Sequence, residues 1–252
     1  MDVRAVGRLP VLRVAQTGLA RLNACHPWSH NDHFHPWILR RLPAHRERAV
    51  DVGCGRGELV ERLAPRFTEV LGTDTDPGMR SAAAARTAHL GGVRITADEL
   101  TDLEGPVDLI TMVAVLHHLD VPSALREVRR LLAPGGRLLV VGLARPSSVP
   151  DALWDLASTV TNPLIGAVKH PRPVRGGPLP DPFPVAQPTL SVDELRQVLA
   201  EVLPGARLRR RLAFRHTVEW TRPPVPGEPV RRARRRSARP PSGRTPRPPG
   251  DR

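Results

Sequence analysis

Short apolar runs alternate along much of the chain with stretches whose apolar residues recur at helical spacing. Residues 48–52 form a brief apolar run that ends in a Gly-rich turn, the mark of a buried strand, and residues 57–63 continue as a helix ending near Pro65. Residues 69–73 predict a second strand and residues 77–88 an Ala-rich helix with proline at its start. A third strand is expected over 93–97. The run 107–116 is apolar almost throughout, which predicts a fourth strand buried on both faces, with His117 and His118 at its end. Residues 122–132 place Leu125, Val128 and Leu132 on one helical face, and Pro134-Gly135-Gly136 stops that helix before a fifth strand at 137–143.

Strands and helices alternating at this spacing require right-handed crossovers, and so a parallel sheet covered on both faces. The fold class expected is α/β: a Rossmann-like, doubly wound, mostly parallel sheet with helices on both faces. In such sheets a ligand sits beyond the carboxyl ends of the strands, where the strand order reverses. An interruption follows over 144–190, with apolar residues Leu153, Leu156, Ala157 and Val160 on one stripe of a possible helix at 151–160. Ser191 and Glu194, three apart, form a capping box that opens a helix to about Leu203. Residues 206–221 alternate like strand, yet no hairpin turn is legible within them. The organisation expected is therefore a leader or helical lid at 1–46, a catalytic domain at 47–222 carrying an insertion at 144–190, and a tail at 223–252.

Composition modifies this picture mainly at the ends. Ten of the 29 prolines lie within 144–190 and nine within 223–252, and the formal charge of +13 is also uneven. The tail alone holds nine arginines against two acids, has no periodicity, and reads as disordered low-complexity chain. Lys169 is the one lysine in a chain whose Lys+Arg total is 38, and tyrosine is absent; this bias fits a GC-rich genome better than selection for phosphate binding. Cys25 and Cys54 are the only cysteines, so neither a disulfide framework nor a cysteine zinc site is suggested. No apolar run approaches the ~20 residues needed to span a bilayer. Arg13 interrupts the only apolar candidate for a secretory signal, so a cytoplasmic protein is expected.

The segment Asp51-Val52-Gly53-Cys54-Gly55-Arg56-Gly57 carries the chemistry. Its glycines let the chain turn tightly from strand into helix and let a ligand approach the main chain. A dinucleotide fingerprint needs a third glycine three residues after Gly55, where Glu58 stands. A carboxylate at Asp51 would repel a pyrophosphate but suits a ligand bearing ammonium and sulfonium charges. The spacing therefore argues against a nicotinamide cofactor and for S-adenosyl-L-methionine.

These motifs resemble the class I S-adenosylmethionine-dependent methyltransferases, in particular the branch containing the ubiquinone and menaquinone enzymes. The resemblance implies that Asp51, Gly53, Cys54, Gly55 and Gly57 wrap the methionine part of the cofactor. It places Asp74, beside Thr75 at the end of the second strand, on the ribose hydroxyls, and Asp98 after the third strand on the adenine. A carboxylate suits the ribose because it accepts two hydrogen bonds side by side. The run from Val107 to Asp120 and the segment Leu132-Ala133-Pro134-Gly135-Gly136-Arg137-Leu138 match the family's fourth strand and the turn before its fifth. The flanks, Trp28 to Pro36 and Arg215-His216-Thr217-Val218-Glu219-Trp220, are similar to a narrower bacterial subgroup that often carries Tyr where His216 stands.

His117 and His118 are the candidate catalytic residues, since a neutral imidazole on the acceptor rim could take a proton. In the cluster His26, His30, His33, His35 and His45 only His26/His30 have the i, i+4 spacing of a helical zinc motif, and Pro27 disturbs it, so no metal is expected. Together with Trp28, Phe34 and Trp37 it reads as a lid over the cofactor or as ordinary core. The partner expected is a small-molecule acceptor methylated at O, N or C. A nucleic-acid acceptor guided by the basic tail is the alternative, but no Asn-Pro-Pro-aromatic motif follows the fourth strand and no catalytic Pro-Cys pair occurs. A third reading is a cofactor-binding fold without catalysis. Oligomeric state has no signature in the sequence.

Overall fold

The computed structural model describes residues 31–147, 187–212 and 214–224, together with Trp154, Ser158 and Thr161. The expected tail and most of the expected leader, insertion and 151–160 helix lie outside the described residues. The elements are α1 (His35–Leu39), β1 (Arg48–Val52), α2 (Glu58–Leu63), β2 (Glu69–Thr73), α3 (Pro77–Thr87), β3 (Val93–Thr96), β4 (Val107–Val113), α4 (Val121–Leu131), β5 (Leu132–Gly142), α5 (Val192–Val202), β6 (Arg207–Arg211) and β7 (Arg215–Thr221). Seven strands form one sheet in the order β3-β2-β1-β4-β5-β7-β6. The first five run parallel, whereas β7 is antiparallel to both β5 and β6. The order reverses between β1 and β4, which opens the ligand crevice at their carboxyl ends.

Strand residues feed two cores, one on each face of the sheet. On one face Val50, Val52, Ile110, Met112, Leu138 and Val140 pack against Leu125, Val128 and Leu131 of α4 and Leu195 and Leu199 of α5. On the other, Ala49, Leu109, Leu139 and Val141 meet Phe34, Trp37 and Ile38 from the amino-terminal segment and Leu59, Val60 and Leu63 of α2. Each fully buried aliphatic side chain contributes roughly 1.5–3 kcal/mol, which is why the central strands read as continuous apolar runs. Phe34 and Trp37 thus belong to the core, which settles the choice between core and lid for those two side chains.

Three local expectations need correction. The fourth strand ends at Val113, not at Leu116. Ala114 adopts a left-handed backbone (φ 58°) while its amide donates to Val141 O, and the chain then forms a 3₁₀ turn over Leu116–His118. The apolar run hides this break because Val115 and Leu116 are still apolar, and Leu116 is buried, after the direction changes. Similarly, the Pro-Gly-Gly segment does not stop α4, which ends at Leu131; it forms an irregular opening to β5, where the register with β4 shifts. Gly135 N donates to Arg222 O and Arg222 N donates to Gly136 O, so this segment is tied to the end of β7. The hairpin missing from the sequence reading joins β6 to β7 through a turn that puts Phe214 at φ 55°. No glycine, asparagine or proline marks it.

Polar residues fix the frame as well. Asp108, almost wholly buried, accepts hydrogen bonds from the amides of Glu47 (2.8 Å) and Arg48 (3.0 Å), anchoring the start of β1. The expected capping box is present: Glu194 N donates to Ser191 Oγ and Ser191 N donates to Glu194 Oε2. Glu219 of β7 pairs with Arg41 (3.2 Å) and Arg137 (3.5 Å), linking the amino-terminal segment to β5.

Candidate functional site

The site grows from the last residues of β1. Successive side chains of a strand face opposite sides, so Asp51 shares the face of Ala49 and stands opposite Thr111 in the parallel register of β4. That register delivers the Thr111 hydroxyl to Asp51 Oδ1 at 2.6 Å. Asp51 is only 3% exposed. Burial pushes its carboxyl up to about 7; the Thr111 hydrogen bond opposes the rise, and the negative charges of Asp74 and Glu58 add to it. A buried carboxylate among other carboxylates, with one hydroxyl for a partner, can receive a cation.

Beyond Val52 the chain passes through Gly53, Gly55 and Gly57, with φ of 65°, 55° and 79°. A side chain at Gly53 would put Cβ 2.2 Å from Val115 Cγ2, so the turn after β4 lies directly on this glycine. Gly55 N donates to Asp74 Oδ2 (2.9 Å) and Asp76 N to Asp74 Oδ1 (3.0 Å), which fixes the Asp74 carboxylate beside the turn. Each of its oxygens keeps a lone pair for a further donor. Behind the turn, Arg86 of α3 bonds Arg56 O (2.9 Å) and pairs with Glu58 (2.9 Å) and Glu61 (3.3 Å) of α2.

The remaining candidates divide. Thr75 is exposed, and its carbonyl accepts from Arg80 (2.8 Å); Asp98 is exposed after β3. Cys54 differs from the expectation: its side chain is buried in the core beside Gly72 and Val60, burial pushes its thiol well up, and its amide already donates to Thr73 O. It offers a ligand no side-chain group. His117 and His118 lie on the 3₁₀ turn rather than at a strand end, their rings 4.1 Å apart. His118 faces solvent. His117 is half-buried, its Nδ1 has no partner, and burial, with the charges of His118 and Arg215, lowers it to about 4. Among the described residues no group of three or more His, Cys, Asp or Glu side chains is arranged to hold a metal.

Two contributors escaped the sequence reading. Thr111 was hidden as one hydroxyl inside an apolar strand, although that isolation was itself the available signal. Arg215 follows the hairpin turn that the sequence did not reveal.

The donor set fits S-adenosylmethionine: a buried acid for a cationic group, a side-chain-free turn for close approach, and a second fixed carboxylate one strand away. Fold and site together define a methyl-transferring α/β enzyme. Comparisons with known proteins agree. Residues 50–138 match the family model described as a methyltransferase domain. An uncharacterised methyltransferase of Mycobacterium tuberculosis is 34% identical over 205 residues, covering 78% of this chain and 98% of the relative. The trans-aconitate 2-methyltransferase of Methylobacterium nodulans is 42% identical over 112 residues, 41% of each chain. Among solved structures, the geranyl diphosphate C-methyltransferase of Streptomyces coelicolor shares the fold at 14% identity and a TM-score of 0.51, covering 76% of this chain and 77% of that one. The chain belongs to the class I S-adenosylmethionine-dependent methyltransferases. No helix among the described residues is long and apolar enough to cross a membrane.

Proposed function

We propose that this chain methylates a small organic molecule at O, N or C, with Asp51 as the residue on which cofactor recognition turns. The observation that carries this reading is the buried Asp51 carboxylate at a Gly-rich turn, held by Thr111 and surrounded by acids rather than bases. Asp51 would hold the cofactor's ammonium, the backbone of Gly53, Gly55 and Gly57 its methionine chain, Asp74 with Thr75 its ribose, and Asp98 its adenine. When bound, the cofactor supplies an electrophilic methyl group. The protein's part is to position the acceptor in line and exclude water, which by itself can supply much of the acceleration.

His117 and His118 border the acceptor side, because Val115, which covers Gly53, precedes them by two and three residues. His117, held neutral at pH 7, can accept a hydrogen bond from an acceptor N–H or O–H without bringing charge to the crevice. A small acceptor is also favoured by the names of the trans-aconitate and geranyl diphosphate enzymes, both of which act on small molecules.

Calorimetric titration with S-adenosylhomocysteine tests the assignment. Micromolar binding by the wild type, lost in Asp74→Ala, is expected. Folded wild-type protein that binds neither this compound nor S-adenosylmethionine would overturn it.

A further inference from the structure

Buried polar atoms without partners collect at one place on the carboxyl edge of the sheet. His216 on β7 is 2% exposed, and neither of its ring nitrogens has a hydrogen-bond partner. Its ring lies against Gly142, the residue opposite it on β5, where a Cβ would come within 2.5 Å of Nε2. His117 Nδ1 and Arg215 Nε are also buried and unpartnered. Leaving such groups unsatisfied is costly, and a cluster of them marks a place built for something else to bind.

Among the described residues no carboxylate compensates the charge at this place. The Arg215 guanidinium donates to the neutral amide oxygen of Asn31 (3.2 Å), and burial alone pulls it down to about 10, with no carboxylate acting to raise it. It remains a cation at neutral pH, and its charge is felt by both His117 and His216. Neighbouring arginines are otherwise engaged: Arg145 with Glu194 (3.3 Å), Arg210 with Asp193 (4.0 Å), and Arg211 with the Thr217 hydroxyl (3.1 Å). A half-buried cation facing no anion among the described residues calls for one from outside.

Two cavities meet at His216. One is an open cleft lined by Arg215 with Arg145, Trp154, Ser158 and Phe214. The other is lined by His117 and by Leu116, Val121, Leu143, Leu190 and Leu195. The first is basic and the second apolar. Resting on the methyltransferase reading above, we propose that the methyl acceptor is an apolar carboxylic acid: its carboxylate seats on Arg215 with His216 and His117 completing the hydrogen bonds, and its apolar body fills the Leu116–Leu195 cavity. One uncompensated guanidinium matches the single charge of a carboxylate better than the near-double charge of a phosphate, and its planar fork matches two coplanar oxygens.

The test uses the full chain, with and without saturating S-adenosylhomocysteine. Octanoate, benzoate and phenylacetate are titrated calorimetrically beside their primary amides and octyl phosphate. At least one carboxylate is expected to bind tenfold or more tightly than its amide. Arg215→Gln should reduce it to the level of the amide while S-adenosylhomocysteine affinity changes less than threefold. Arg215→Lys, which keeps the charge but loses the fork, should fall between and guards against a folding defect. No preference for any carboxylate over its amide, a preference that survives Arg215→Gln, or octyl phosphate binding more tightly than octanoate would each overturn the proposal. S-adenosylhomocysteine binding without carboxylate preference sinks this inference alone. Carboxylate preference without S-adenosylhomocysteine binding upholds the anion site and sinks the cofactor reading.

Discussion

Replacing Asp51 by asparagine keeps the shape of the buried side chain and removes its ability to ionise. In the free protein Asp51 titrates near pH 7, so at pH 6 only about one molecule in eleven carries the carboxylate that a cationic group requires. If the bound form must be ionised, the dissociation constant for S-adenosylhomocysteine should weaken about tenfold between pH 8 and pH 6. His117 and His216, both lowered to about 4, stay neutral throughout this window. Asp51→Asn should flatten the profile and weaken binding at pH 8 by about 10- to 100-fold, the loss of a hydrogen bond to a charged group. Stability of the free protein should move the opposite way. Because the native state holds the Asp51 proton more tightly than the unfolded chain, its contribution is lost as pH rises from about 4 to about 7. Over that window the loss is on the order of 4 kcal/mol, so Asp51→Asn should melt higher than wild type at pH 8. Calorimetry in buffers of differing ionisation enthalpy would also register a proton released on binding near pH 6. A wild-type affinity that is flat from pH 6 to 8, or a slope retained in Asp51→Asn, would refute the reasoning.

Thr111→Val removes the hydroxyl that favours the ionised carboxylate, so the midpoint of the same pH profile should rise by about one unit. Gly53→Ala should abolish S-adenosylhomocysteine binding and cost about 1–3 kcal/mol on thermal unfolding, because of its positive φ and the Val115 contact; adding Val115→Ala should restore part of both. Asp108→Ala removes the buried partner of two part-buried amides at the start of β1 and should destabilise the fold by about 1–3 kcal/mol in urea unfolding, with ligand affinity nearly unchanged for the protein that remains folded. Ser191→Ala should cost about 1 kcal/mol in the same assay through loss of the α5 cap.

How far the site could be read from sequence depended on whether its chemistry was local. The Asp51–Gly57 turn was legible because strand, glycines and acid are consecutive; Asp74 entered through the resemblance, and the structure puts its carboxylate on the Gly55 amide. The strand boundaries at Arg48–Val52 and Glu69–Thr73 were read correctly because both strands are short and sharply flanked. Hydropathy could not report the break at Ala114, since Val115 and Leu116 continue the apolar run after the chain has turned. Cys54 sat within a binding motif, but only the packing against Gly72 and Val60 shows which way it points. Arg215 and His117 are brought together by the pairing of β7 with β5, a long-range event with no local signature.

The reversal of β7 separates two inheritances within one sheet. A parallel strand would have delivered its final residues to the ligand edge; this one delivers its first, immediately after a surface turn. With the acceptor seated on Arg215 as proposed, choice of acceptor can drift in this hairpin while β1, β2 and their turns keep the proposed donor site fixed. Grafting the hairpin of a relative onto this sheet should transfer preference among acceptors and leave affinity for the donor where it was.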